Sequence, residues 1–167
     1  MVFPFSVRFN KKLKAEITSE NQAQTLQFIA KYISEDKADN VTITELDVTY
    51  KGSTSIWRGS LFGSVDSGIF SFAFKNNCWC LVYQINMRKL FIGTSILSAI
   101  AEISVLINGG PWWIGIAAFS WLCGANWITN LIRHESVAFS VSAGIDELIC
   151  GKTPEQEKIP GKLKSWF

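Results

Sequence analysis

Residues 90–132 read "LFIGTSILSAIAEISVLINGGPWWIGIAAFSWLCGANWITNLI". Glu102 is the only charged side chain in this run, while both flanks carry an ordinary mixture of Lys, Arg, Asp and Glu. The chain as a whole has a net charge of +2 and looks soluble on average, so this partition is the main composition signal. Within the run, "INGGP" at 107–111 places two glycines and a proline together, a turn signal. At about 1.5 Å per residue, the arm before it (about 90–107) makes a helix of roughly 27 Å and the arm after it (about 111–132) one of roughly 33 Å. Both match a hydrocarbon core of about 30 Å. The spacing therefore predicts a two-helix transmembrane hairpin over 88–133. Two buried helices of a soluble core are the alternative, and they fail on size, because residues 1–87 are too few to enclose them.

The hairpin also sets the expected topology. Arg88 and Lys89 precede the first arm, Arg133 follows the second, and the turn is uncharged. By the positive-inside rule both termini are cytoplasmic, giving a multi-pass protein with two spans. The opening "MVFPFSVRFNKKL" alternates and does not read as a signal peptide. Cys78, Cys80, Cys123 and Cys150 then lie in a reducing compartment or in the membrane, so disulfides are not expected. The sequon at Asn40 carries no weight for the same reason.

Glu102 raises the question of what offsets its burial. Counted back from the turn, it lies about five residues from the far boundary, opposite the region of Ala117. A charge at the bilayer centre costs roughly 3 kcal/mol on insertion scales, and less at this depth. The hairpin has no Lys or Arg to pair with it. Protonation, a hydrogen bond to Ser98 or Trp113, or a partner subunit are the available offsets. Thr94, Ser98, Ala101, Glu102 and Val105 form a small or polar stripe on the first arm. On the second, Ala117, Ser120 and Gly124 share a face, and Asn126 and Asn130 present amides one turn apart near the cytoplasmic end. The intramembrane polar candidates are thus Glu102, Ser98, Asn126 and Asn130.

Residues 1–87 read as an α+β cytoplasmic domain, mainly antiparallel β with one amphipathic helix. Phe3, Phe5, Val7, Phe9, Leu13, Ala15 and Ile17 alternate, and the polar "NKK" between them suggests a hairpin of two strands. Ser19 and Gln22 have the form of a capping box. Ala23, Leu26, Ile29, Ala30 and Ile33 follow at helical spacing. "VTITELDVTY" predicts one strand over 41–50. In "GIFSFAFKNNCWCLVYQI", a two-residue turn at Asn76 and Asn77 sets Phe74 against Trp79, Phe72 against Leu81 and Phe70 against Tyr83 on one face. Ser71, Ala73, Cys78, Cys80 and Gln84 take the other. Around "SIWRGSLF" two readings stand: its aromatics fill the core, or Trp57, Arg58, Leu61 and Phe62 dip into the headgroup layer. The membrane-interface candidates are Trp57, Arg58, Phe62, Arg88, Lys89 and Arg133.

After the hairpin, residues 134–150 read as a separate amphipathic helix with Val137, Val141, Ile145 and Leu148 on one face, ending at Gly151. It packs on the strand domain or lies in the interface. Residues 151–167 read as a flexible polar tail; for its end, where Lys158, Lys162 and Lys164 join Trp166 and Phe167, contact with an anionic leaflet is the alternative and a solvated tail the preferred reading.

No catalytic constellation emerges. His134 is the only histidine, which removes most metal centres. Cys78 and Cys80 lack a second pair at zinc-ligand spacing, and phosphate-loop, nucleophile-elbow and zincin motifs are absent. The lysines at 11, 12 and 14 are too few to imply nucleic acid. The expectation is a non-enzymatic membrane protein without cofactor or metal. Its partners are the lipid bilayer and either copies of itself or another membrane protein, with no nucleic acid. It would serve as an interaction, scaffold or regulatory subunit. The alternative is a subunit of an oligomeric ion or proton pathway built on Glu102.

Overall fold

A computed structural model describes residues 5–36, 38–52 and 61–151. Trp57, Arg58, Phe3 and the tail beyond Gly151 lie outside the described residues. The architecture is α+β, an antiparallel five-stranded sheet with helices, one of which is long and strongly apolar.

The sheet grows from the β4–β5 hairpin, β4 being Ser67–Lys75 and β5 Cys78–Asn86. Asn76 (φ 50°) and Asn77 (φ 61°) both take left-handed backbone, which asparagine tolerates and a two-residue hairpin turn requires. The register follows: Phe70 faces Tyr83, Phe72 faces Leu81 and Phe74 faces Trp79. Only part of this ladder is core. Phe70, Leu81 and Tyr83 are fully buried, with the Phe70 and Tyr83 rings stacked at 4.0 Å, whereas Phe74 at the far end is 58% exposed.

The strand order is β1-β5-β4-β3-β2, with β1 at Ser6–Lys12, β2 at Asp39–Ile43 and β3 at Asp47–Lys51. Three expectations change here. The N-terminal segment is one strand, not a hairpin, because "NKK" continues the pairing with β5. Leu13, Ala15 and Ile17 then enter the core from irregular chain. The amides of Lys14 and Ala15 both donate to Asp146 Oδ1 at 2.9 Å. The segment 41–50 is likewise two strands, because Thr44 and Asp47 close a turn. Thr44 Oγ1 lies 2.6 Å from Asp47 Oδ1, and the Thr44 amide donates to the Asp47 carbonyl at 2.9 Å. Finally, α1 (Gln22–Glu35) is preceded by Asn21, not Ser19. The Asn21 side chain braces the approach by accepting from the Thr18 amide and donating to the Glu16 carbonyl.

β1 and β2 sit at opposite edges, so α1 carries the chain across one sheet face. It covers β2 and β3 with Leu26, Ile29 and Ile33. The other half of that face, over β1 and β5, is covered by Val137, Ala138, Val141 and Ile145 of α4 (Asn126–Cys150). The two helices meet where Gly144 leaves no room for a side chain beside the Phe28 ring. Burial of this shared face, at about 25 cal/mol per Å² of apolar surface, is the dominant stabilising term.

Between β5 and α4 the chain leaves the domain as α2 (Arg88–Ile107), turns, and returns as α3 (Trp113–Phe119) and a π-helical stretch (Ser120–Ala125). Gly109 (φ 73°) ends α2, and the amides of Gly109 and Gly110 return to the Leu106 and Val105 carbonyls. Helical backbone is unbroken over 113–150. The expected separate helix at 134–150 is therefore the second half of the returning arm. Arg133 was its expected boundary, but a charge alone does not stop a helix; Gly151 (φ 79°) does. α2 is long and apolar enough to cross a membrane, and only 6% of its apolar stretch is buried.

Candidate functional site

Two clusters of polar groups sit in otherwise apolar surroundings. The first is in the hairpin. Trp112 is the N-cap residue of the returning arm, so Gly115 is the third residue of a helix whose first amides have no intrahelical acceptor. The Glu102 carboxylate, one helix away, accepts the Gly115 N–H through Oε2. It thereby acts as a cap delivered from outside the helix, in the region where the helix dipole favours negative charge. Glycine is required there, because a Cβ at Gly115 would lie 2.7 Å from Cβ of Glu102. Neither Ser98 nor Trp113 supplies the expected hydrogen bond, and the contact falls two positions before Ala117, since the helix starts only after Trp112.

The same two residues line an open groove of about 400 Å³. Ser95, Ser98, Ala99 and Glu102 of α2 form one wall. Trp112, Ile116 and Phe119 face them from the returning arm. Ser98 is 5% exposed, and its Oγ has no hydrogen-bond partner among the described residues. Glu102 and Ser98 are thus brought together, one turn apart on one wall. Asn126 and Asn130 are not: Asn126 is exposed and donates to the Leu122 carbonyl, whereas Asn130 is buried.

The second cluster lies where the returning arm enters the domain. Tyr50 Oη and Tyr83 Oη are 2.5 Å apart, and Tyr83 Oη is 2.8 Å from His134 Nδ1. These three come from β3, β5 and α4 and are sealed from solvent. Burial pushes both phenols up, and in Tyr83 the Tyr50 contact adds to the effect. Burial, helped by the Arg133 charge, pulls His134 down to about 4, so its ring is neutral. Two phenols and a neutral imidazole carry three polar hydrogens for two contacts. His134 Nε2 has no hydrogen-bond partner among the described residues. Gly68 makes the space for Tyr50, since a Cβ there would overlap the phenol. This triad ties the arm to two strands; the solitary histidine in register with Val137 and Val141 was its only signal in the sequence.

Phe62 belongs to this second cluster. Its ring lies 4.8 Å from Tyr50 and 5.9 Å from His134, and it is fully buried. Placement of Phe62 in the headgroup layer is therefore corrected: its ring completes the aromatic core. Arg88, Lys89 and Arg133 are exposed around the root of the hairpin. There the Lys89 amide donates to Asp66 Oδ2 at 2.9 Å, and Phe5 packs edge-on against Phe91 at 5.1 Å.

Comparison with protein-family models, with curated proteins and with solved structures finds no match to this chain.

Proposed function

We propose that this chain is a non-enzymatic integral membrane protein. Its hairpin spans the bilayer twice, both termini are cytoplasmic, and the α+β domain serves as an interaction or regulatory module at the membrane face. The observation that carries this reading is the continuity of helix over 113–150. Its first half is apolar and outward-facing, with Trp113, Ile116, Trp121, Ile128 and Ile132 all exposed. Its second half is the domain's own core. Exposed apolar surface on both arms has no favourable place in water but a ready one in lipid. A helix shared in this way transmits displacement of the hairpin directly to the sheet, which suits a regulatory subunit. The basic residues at the root suit the cytoplasmic boundary.

The second reading, a proton or cation pathway through Glu102, draws support from the location of a carboxylate in the hairpin. Its use as a helix cap favours the structural role instead. Purification of the tagged chain from native membrane, with mass spectrometry and a flux assay in liposomes, separates the two. The first reading expects a defined complex with another membrane protein and no flux from this chain alone. Glu102-dependent flux from this chain alone would overturn it in favour of the second.

A further inference from the structure

We infer that the groove between the hairpin arms is a binding site for an amphiphilic organic monocation, a molecule with an apolar body and one delocalised or quaternary positive charge. Three observations meet there. Glu102 is the only charged side chain between Leu90 and Ile132, so this run holds a carboxylate and no cation of its own. Its recorded hydrogen bond, from Gly115, engages one oxygen, while a carboxylate has about four acceptor positions. The second observation is Ser98, which lines the same groove with a buried hydroxyl that has no hydrogen-bond partner among the described residues. The third is the wall itself. Trp112 and Phe119 line the space that Glu102 borders, and aromatic rings beside a carboxylate are the combination by which cations with poor hydration are held. The groove volume of about 400 Å³ lies in the range of small-molecule sites.

Charge complementarity selects the occupant. An anion would face the Glu102 carboxylate, and a neutral apolar molecule would leave its charge without a counter-charge. A small inorganic cation would leave the aromatic and aliphatic walls unused. An amphiphilic cation supplies the counter-charge that the carboxylate lacks and apolar surface for the aromatic and aliphatic walls, with the Ser98 hydroxyl dipole beside its charge. The inference rests on the membrane reading only for the source of the ligand, which reaches the groove from lipid.

The test uses two ions of the same shape and opposite charge, tetraphenylphosphonium and tetraphenylborate. Equilibrium dialysis with the purified full chain in detergent measures binding of each, against the same detergent without protein. The site predicts that the phosphonium binds at least tenfold more tightly than the borate. Glu102→Gln, whose amide oxygen still accepts the Gly115 N–H, should weaken phosphonium binding at least tenfold. Ala99→Trp, which fills the groove and leaves the carboxylate in place, should weaken it as much. Equal protein-dependent binding of the two ions, or wild-type phosphonium affinity in either variant, would overturn the proposal. The membrane reading fails separately, by recovery of the chain in the aqueous fraction of cells.

Discussion

Glu102 and Gly115 meet across the hairpin, the carboxylate of one helix accepting a backbone N–H from the first turn of the next. This contact resolves the cost of a lone carboxylate in an apolar arm. The helix that starts after Trp112 has unsatisfied amides by construction, and Glu102 brings an acceptor that the segment around Trp112 lacks. The two deficits cancel at one point, and the glycine is what lets the arms come close enough.

Substitutions at this contact should therefore differ by chemistry rather than by size. Glu102→Gln keeps an acceptor and should change hairpin stability by less than about 0.5 kcal/mol. Glu102→Leu leaves the Gly115 amide bare and should cost about 1 to 2 kcal/mol. Gly115→Val forces the arms apart and should cost about 1 to 3 kcal/mol. Reversible unfolding in mixed micelles reads all three, and an equal loss for Gln and Leu would contradict the capping role.

The half-buried ladder on β4 and β5 predicts a gradient. Phe70→Ala removes a fully buried, stacked ring and should cost about 3 to 5 kcal/mol. Phe74→Ala, at the exposed end of the same face, should cost less than about 1 kcal/mol, with half-buried Trp79→Ala between them. Chemical denaturation of the three variants tests this order, and similar losses for Phe70 and Phe74 would contradict the register.

His134 predicts a pH dependence of definite sign. Its folded pKa lies at about 4, below the ordinary value of 6.5. Between these values the unfolded chain binds a proton that the folded chain refuses. Stability should then be full above about pH 6.5 and decline as pH falls toward about 4, by up to about 3 kcal/mol at roughly 1.36 kcal/mol per unit. In His134→Gln this component of the slope should vanish even if the variant is less stable throughout. A slope unchanged by the substitution would contradict the burial of a neutral ring.

The sequence announced what depends on neighbours a few residues apart. Asn76 and Asn77 dictated a turn, the turn dictated a register, and the spacing of Leu26, Ile29 and Ile33 dictated the buried face of α1. Features set by distant partners stayed hidden. The break between β2 and β3 depends on Thr44 and Asp47 bonding to one another, inside a run of good strand formers. The Tyr50, Tyr83 and His134 cluster joins two strands and a helix that only the sheet order brings together. At the hairpin, Glu102 and Ser98 were visible as polar residues, but their groove depends on how far past Pro111 the second helix begins. The continuity of helix through Arg133 was obscured because a change from apolar to charged composition marks an expected membrane boundary, not a break in backbone.

The hairpin's passage through a bilayer is the central claim, and thiol labelling tests it most directly. Cys78, Cys80, Cys123 and Cys150 are replaced, and single cysteines are placed at Gly109 in the turn or at Lys12 on β1. An impermeant thiol reagent applied to intact cells should label the turn cysteine and leave the cysteine at 12 unmodified until the membrane is opened. Labelling at 12 in intact cells, or protection of the turn in both conditions, would contradict a hairpin that crosses the membrane from the cytoplasmic side.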